Sequence, residues 1–333
     1  METTAIATQS NEYLIIQNVP AVLTSDVLDN VTNVFLSFQQ INHNTPATYK
    51  RALRQFFGWV GQTGRTIANL TRADLLAYIQ DMRAREMSPN TINSYLTAIR
   101  RFYEFCDLYN IAPNIAKGIK GVPTTSAEEH EKSDFTPTQA ANILTAAEGN
   151  KRDHAIMMLM MICGLRTIEI VRANIGDFEL IGETYIMTVH GKRDKQRRIP
   201  VPSETWAAIN TYLSTERRGA KNNDPLFTSN AHRYNGRIER LTTRSVSRIA
   251  KDNIRAVGIN DSRHTAHSCR HTALGCIVSE QNPDTNKMQT AQMLAGHSDP
   301  ATTFIYVKQQ MRRDLLRSAP NQIVEHIILG KLN

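Results

Sequence analysis

The sequence lacks the marks of several protein classes. No stretch approaches the ~18 consecutive apolar residues that a membrane-spanning helix requires. The first residues, Met1-Glu2-Thr3-Thr4, have neither the basic start nor the apolar core of a secretion signal. The four cysteines, Cys106, Cys163, Cys269 and Cys276, form no Cys-x-x-Cys pair. They read as reduced, mostly buried thiols of a cytosolic protein and not as a disulfide framework. Internal repeats and low-complexity tracts are also missing. Together these absences leave a globular, cytoplasmic protein with no membrane partner.

What is present narrows the field further. The chain has 333 residues, enough for two domains with sizeable cores. Its 39 Lys and Arg against 31 Asp and Glu give a net charge of +8. That balance favours a polyanionic partner, because each cation placed on a phosphate releases condensed counterions.

Residues 1–24 are polar apart from Tyr13-Leu14-Ile15-Ile16 and read as an arm. A helix is expected from Ser25 to about Gln39, with Val27, Leu28, Val31, Val34, Phe35 and Phe38 as its apolar stripe. Three better-punctuated helices follow. Thr45-Pro46 opens the first, whose apolar side is Tyr49, Leu53, Phe56, Phe57 and Val60. Lys50, Arg51 and Arg54 lie off that side. Thr71-Arg72-Ala73-Asp74 resembles a capping box and opens the second. Ser88-Pro89 opens a longer third, with Arg100 and Arg101 beside its apolar stripe. These segments predict a four-helix domain over 25–110. From 111 to 133 the pattern breaks: Pro113, Gly118, Gly121 and Pro123 are followed by the run Thr124 to Ser133, and the whole span reads as an inter-domain linker.

The second domain is expected over 134–317. Thr136-Pro137 caps a helix, and a Met-rich helix follows from Arg152 to Cys163, its methionines serving as core filler. Gly164 ends it, and Leu165 to Val171 begins another. Thr184–His190 and Gln196–Val201 alternate as strands around a basic tip, Gly191-Lys192-Arg193-Asp194-Lys195. Helices are expected over Ser203–Arg217, Thr243–Val257, from Arg263 onward and over Lys287–Ala295. Arg244, Arg248, Lys251 and Arg255 fall on one face of their helix, either as a solvated face or as a surface for phosphates. The fold class is therefore mainly α, with an N-terminal four-helix domain and an α+β second domain holding a small antiparallel sheet. The tail, 318–333, contains Ile323, Val324, Ile327, Ile328 and Leu329.

One stretch invites a chemical reading. Leu294-Ala295-Gly296-His297 closes a helix, and Tyr306 stands nine positions after His297. By itself Tyr306 is a core aromatic. As a nucleophile on a phosphodiester it would need cations on the phosphoryl oxygens, and the planar fork of Arg suits them. It would need a base for a phenol whose ordinary pKa is ~10, and a Lys or His to protonate the leaving 5′-oxygen. Arg166, Lys192, His267, Arg270 and His297 supply that set, each at a structural breakpoint. Singly they have plainer readings. Arg166 can pair with Glu169, Lys192 can be an exposed hairpin lysine, and His267 with His271, four apart, can bind zinc.

Taken together, the residues resemble the tyrosine recombinases, the phage-integrase family. The family's Arg box stands here as Gly164-Leu165-Arg166-Thr167-Ile168-Glu169. Its hairpin lysine is Gly191-Lys192, its H-x-x-R-H is His267-Ser268-Cys269-Arg270-His271, and its last motif runs from Leu294-Ala295-Gly296-His297 to Tyr306. The resemblance covers residues 25–310. It implies that Tyr306 is the nucleophile forming a 3′-phosphotyrosyl link. Arg166 and Arg270 would clamp the phosphate, Lys192 would be the general acid and His267 the general base. His297 would hold the phosphate or tune the site, and Glu169 would orient its neighbours. Arg193 stands where the family has a Gly, which leaves Lys195 beside Lys192 as a candidate acid. Cys269 replaces a usual Leu as a packing change.

The resemblance further implies a core-binding N-terminal half on double-stranded DNA; Lys50, Arg51, Arg54 and Arg100 of that half, with Arg244 and Arg248 of the second domain, are the candidate DNA contacts. It implies a homotetramer on two DNA sites, possible accessory DNA-bending or directionality proteins, a nucleoid location when bound, and neither metal nor cofactor. A separate arm-binding domain is not expected, and a two-domain Xer-like layout fits. The tail would dock on a neighbouring protomer or on its own domain. The alternatives are a type IB topoisomerase using the same residues, an inactive DNA-binding accessory protein, and a metal-dependent nuclease. The last is disfavoured because no Asp/Glu cluster suits two metals.

Overall fold

The computed structural model describes residues 32–37, 45–65, 67–123, 134–191, 195–229, 239–279, 286–296, 299 and 303–304. It divides into two compact units, Met1–Glu129 and His130–Asn333.

The first unit is helical. Residues 32–37 form α1, followed by α2 (Thr45–Gln62), α3 (Arg72–Ala84) and α4 (Pro89–Leu108), with a 3-10 turn at Ile67–Asn69. The starts follow from local chemistry. The Thr71 side chain accepts from the Asp74 amide, and the Asp74 carboxylate accepts from the Thr71 amide at 2.8 Å. This reciprocal cap satisfies two amides that the first turn leaves open. Ser88 caps α4 with its side chain alone, accepting from the Thr91 amide at 3.3 Å, with Pro89 at the first helical position. The apolar stripes of these helices meet in an aromatic core. Phe56 meets Tyr78 edge-on at 5.2 Å, and Phe57 meets Phe102 at 5.2 Å.

Residues 111–123 fall within the span read as linker, yet they pack on this unit. Ala112, Ile115, Ala116 and Ile119 are buried in its core. Arg72 donates to the Lys117 carbonyl at 3.0 Å, and Asn93 brackets Val122 through both its backbone groups. Arg100, expected on DNA, donates to the Ile119 carbonyl. Side chain–backbone bonds of this kind give an irregular segment a fixed path that its Pro and Gly content conceals.

The second unit contains α5 (Pro137–Ala147), α6 (Lys151–Met161), α7 (Thr167–Arg172), a 3-10 turn (Ile175–Asp177), strands β1 (Phe178–Ile181), β2 (Thr184–His190) and β3 (Gln196–Val201), then α8 (Ser203–Glu216), α9 (Thr243–Ala256), α10 (Ala266–Ser279) and α11 (Lys287–Ala295). The sheet is antiparallel in the order β1-β2-β3. The sequence reading gives β2 and β3 with these bounds and omits β1. Helix α6 is buried on nearly all sides, and its methionines are core residues. Among the cysteines, Cys106, Cys163 and Cys269 are buried and Cys276 is exposed. Burial pushes the Cys269 thiol up to about 12, which fits a packing role and not a reactive one.

Candidate active site

The site is built around the buried carboxylate of Glu169, on α7. This side chain is 1% exposed and meets three guanidinium groups. Arg166 donates to Glu169 Oε1 through Nη1 at 2.9 Å, and its backbone N–H donates to Oε2 at 2.9 Å. That backbone bond caps α7, because Glu169 occupies its third position. Arg197, on β3, binds the same carboxylate with two parallel bonds, Nη1 to Oε1 at 2.7 Å and Nη2 to Oε2 at 2.9 Å. Arg270, on α10, lies 3.9 Å from Oε2 and is itself 1% exposed. Burial alone would raise the Glu169 pKa. The Arg197 hydrogen bonds and charge, then those of Arg166, outweigh it and hold the carboxyl below its ordinary value of 4.5.

The same three arginines meet at the end of α11. The Ala295 carbonyl accepts from Arg166 Nη1 at 3.0 Å and from Arg270 Nη2 at 2.7 Å. The Leu294 carbonyl accepts from Arg197 Nε at 2.9 Å. The last carbonyls of a helix have no intrahelical partner and carry its negative dipole end, so cations gather there. Arg270 also donates to the Gly164 carbonyl at 2.5 Å, which ties the Arg-box turn to α10. Among the described residues every hydrogen bond of the Arg166 side chain uses Nη1, so Nε and Nη2 keep their donors. The Arg166 side chain is 33% exposed. A partly exposed, doubly anchored guanidinium with open donors is a ready anion clamp.

Gly296 ends α11 in the left-handed conformation, with φ 60°. A Cβ there would meet Arg197 Cδ at 3.0 Å, Nη1 at 3.1 Å and Nε at 3.2 Å. Three hydrogen bonds hold that guanidinium, so it cannot easily withdraw. Gly296→Ala is therefore expected to lower stability by at least about 1–2 kcal/mol from the backbone alone, and to slow any reaction that uses the three arginines gathered there. Thermal unfolding of the two proteins checks the first part.

The base of the β2–β3 hairpin is also tied down. The Gly191 amide donates to the Lys195 carbonyl at 2.8 Å, and Arg172 donates to the Gly191 carbonyl. His190 Nε2 meets Asp177 Oδ1 at 2.9 Å. Lys195 is exposed on the outgoing side.

The sequence-predicted residues fare as follows. Arg166, Glu169 and Arg270 are brought together, and the Arg166–Glu169 pair of the plainer reading is present beside Arg270. His267 is exposed in the first turn of α10, and its ring meets that of His271 edge-on at 4.4 Å. Among the described residues no group of three or more His, Cys, Asp or Glu comes together as a metal site. Lys192, His297 and Tyr306 lie outside the described residues, as do the N-terminal arm and the C-terminal tail. Arg51, Arg54, Arg244 and Arg248 are exposed, and Lys50 is half-buried. Lys251 departs from the phosphate-facing stripe: its ammonium group donates to the Asp261 and His264 carbonyls and holds the loop that leads into α10. Sequence reasoning assigned no role to Arg197. Its signal was strand alternation, since Arg197, Ile199 and Val201 share one face of β3.

Comparison with known proteins agrees with this architecture. The family model described as "Phage integrase family" matches residues 133–313, and "Phage integrase, N-terminal SAM-like domain" matches residues 34–107. The chain belongs to the phage integrase family, the tyrosine recombinases. It is 30% identical over 242 residues to the tyrosine recombinase XerC of Caldanaerobacter subterraneus, a match covering 70% of this chain and 63% of that relative. The chain thus spans less than two thirds of that relative's length. Among solved structures it is similar to the XerH site-specific recombinase bound to a palindromic difH substrate in a post-cleavage complex. The TM-score is 0.71 at 18% identity, covering 89% of this chain and 84% of that one. It is also similar to a lambda integrase tetramer bound to a Holliday junction, with TM-score 0.64 at 14% identity, covering 84% and 75%. At these identities the likeness is one of fold.

Proposed function

We propose that this chain is a site-specific DNA recombinase that cuts and rejoins strands through a 3′-phosphotyrosyl intermediate. The observation that carries this reading is the meeting of Arg166 and Arg270 on the Ala295 carbonyl, one residue before Gly296-His297. That arrangement holds two cations at the last turn of α11, about ten residues before Tyr306 in the sequence.

The roles follow from the chemistry. The Tyr306 Oη attacks phosphorus and gives its proton to His267. The bond from phosphorus to the 5′-oxygen breaks, and Lys192, or Lys195 at the same tip, protonates the leaving hydroxyl. Arg166 and Arg270 hold the non-bridging oxygens as charge builds on them, with His297 beside them. The phosphotyrosine conserves the bond energy. A 5′-hydroxyl from another strand then reverses the step without ATP or a metal.

Lys50, Arg51, Arg54, Arg244 and Arg248 supply duplex contacts in this reading, while Arg100 holds the 111–123 segment through the Ile119 carbonyl, and the lambda integrase tetramer on a junction supports a homotetramer on two DNA sites. No helix among the described residues is long and apolar enough to cross a membrane; the cytoplasm, at the nucleoid, is the proposed place of action.

A type IB topoisomerase would use the same residues. A supercoiled plasmid carrying two copies of the flanking sequence of the host element separates the two. Recombinant circles are expected. Relaxation that is independent of those sequences, with no recombinant product, would favour the topoisomerase.

A further inference from the structure

A buried carboxylate beside a phosphate clamp poses an electrostatic problem. Glu169 holds Arg166 in place, but its negative charge, 2.9 Å from Arg166 Nη1, also opposes the binding of an anion at that guanidinium. In a water-poor site the effect is large, because charges there are weakly screened. The structure contains an answer on the neighbouring sheet. Arg197 takes both oxygens of Glu169 in a bidentate pair and is only 14% exposed. Its Nε is spent on the Leu294 carbonyl, and its side chain lies against Gly296.

We propose that Arg197 is a positioning residue of the active site. It neutralises Glu169, so that Arg166 and Arg270 keep their charge for the scissile phosphate, and it locks β3 to the end of α11, which His297 follows in the sequence. The inference rests on the recombinase reading and goes beyond its reacting groups. Nothing in the role requires Arg197 to touch DNA. A planar fork is needed at this position, because it must meet two carboxylate oxygens and a carbonyl at once, and a lysine has no such geometry.

The test uses the full chain on a nicked suicide duplex. The single-turnover rate of covalent adduct formation is measured beside affinity for the intact duplex and the thermal midpoint. Arg197→Gln should slow adduct formation by about 30- to 100-fold, in line with a misplaced reacting group, while affinity changes by no more than about threefold, since it comes chiefly from the many phosphate contacts. The double variant Glu169→Gln/Arg197→Gln removes both charges and should recover at least about tenfold of that loss, because the charge balance returns. A double variant as slow as Arg197→Gln in a folded protein would overturn the charge-balancing role.

Should Arg197→Gln not fold, Arg197→Lys keeps the charge and loses the fork. It should be about tenfold slower than wild type, and a wild-type rate would overturn the proposal. An inactive wild-type protein would overturn the recombinase reading and this assignment with it. An active wild type with an equally active Arg197→Gln would overturn the assignment alone.

Discussion

Replacing Tyr306 by Phe should abolish covalent capture of DNA while leaving duplex affinity within about threefold of wild type, since phosphate contacts dominate binding. The substitution removes one oxygen and almost no volume, so packing hardly changes. What it removes is the only atom of that side chain able to form an ester with phosphorus. A denaturing gel of a suicide substrate reads the outcome: wild type retains a protein–DNA band and Tyr306→Phe shows none. Residual adduct in the variant would mean that another hydroxyl or thiol attacks. It would move the nucleophile away from Tyr306 while leaving the Arg166 and Arg270 clamp in place.

Glu169→Ala should be the most destabilising single change in the site. The carboxylate is 1% exposed and binds Arg166 and Arg197 directly, with Arg270 at 3.9 Å. Its removal leaves three cations facing one another around a small void. Breaking one partner out of a buried ion cluster costs about 3–5 kcal/mol. Glu169→Gln keeps the volume and some hydrogen bonds and should cost less.

The pH dependence carries the same signature. The folded-state pKa of Glu169 is depressed below its ordinary value of 4.5. The stability it contributes is therefore fully present above 4.5 and is lost as pH falls through the lower folded value. Wild type should lose stability more steeply than Glu169→Gln on acidification below that point. Parallel curves for the two proteins would show that the carboxylate is not held in its charged form.

How much of this was legible in the sequence depended on whether the signal was local. Helix starts were legible where a Thr or Ser meets its own chain three residues on, as at Thr71 and Thr136. Strands β2 and β3 alternate cleanly and flank a basic tip. Strand β1 does not alternate. It is four residues long, lies at the sheet edge and exposes Leu180 and Ile181. The signal that marks it is the two-residue Gly182-Glu183 turn, with Gly182 at φ 61° pairing Ile181 to Thr184.

The site was legible by residue type at Arg166, Glu169 and Arg270, because the motif is compact. Its wiring was not. The Ala295 and Leu294 carbonyls are chemically anonymous in a sequence, and the arginines that reach them come from positions 97 to 129 residues away for Arg197 and Arg166. Residues 111–123 illustrate the same limit. Pro and Gly mark an irregular path there, but only the tertiary bonds from Arg72, Asn93 and Arg100 show that the path is fixed.

The most direct measurement is the identity of the residue joined to DNA. Wild-type protein would be trapped on a suicide duplex carrying the element's flanking sequence, digested with protease and nuclease, and mapped by mass spectrometry. The account predicts a nucleotide attached through its 3′-phosphate to the peptide bearing Tyr306, formed equally well in EDTA. A DNA adduct on any other residue, or cleavage that needs a divalent metal and leaves no adduct, would contradict it.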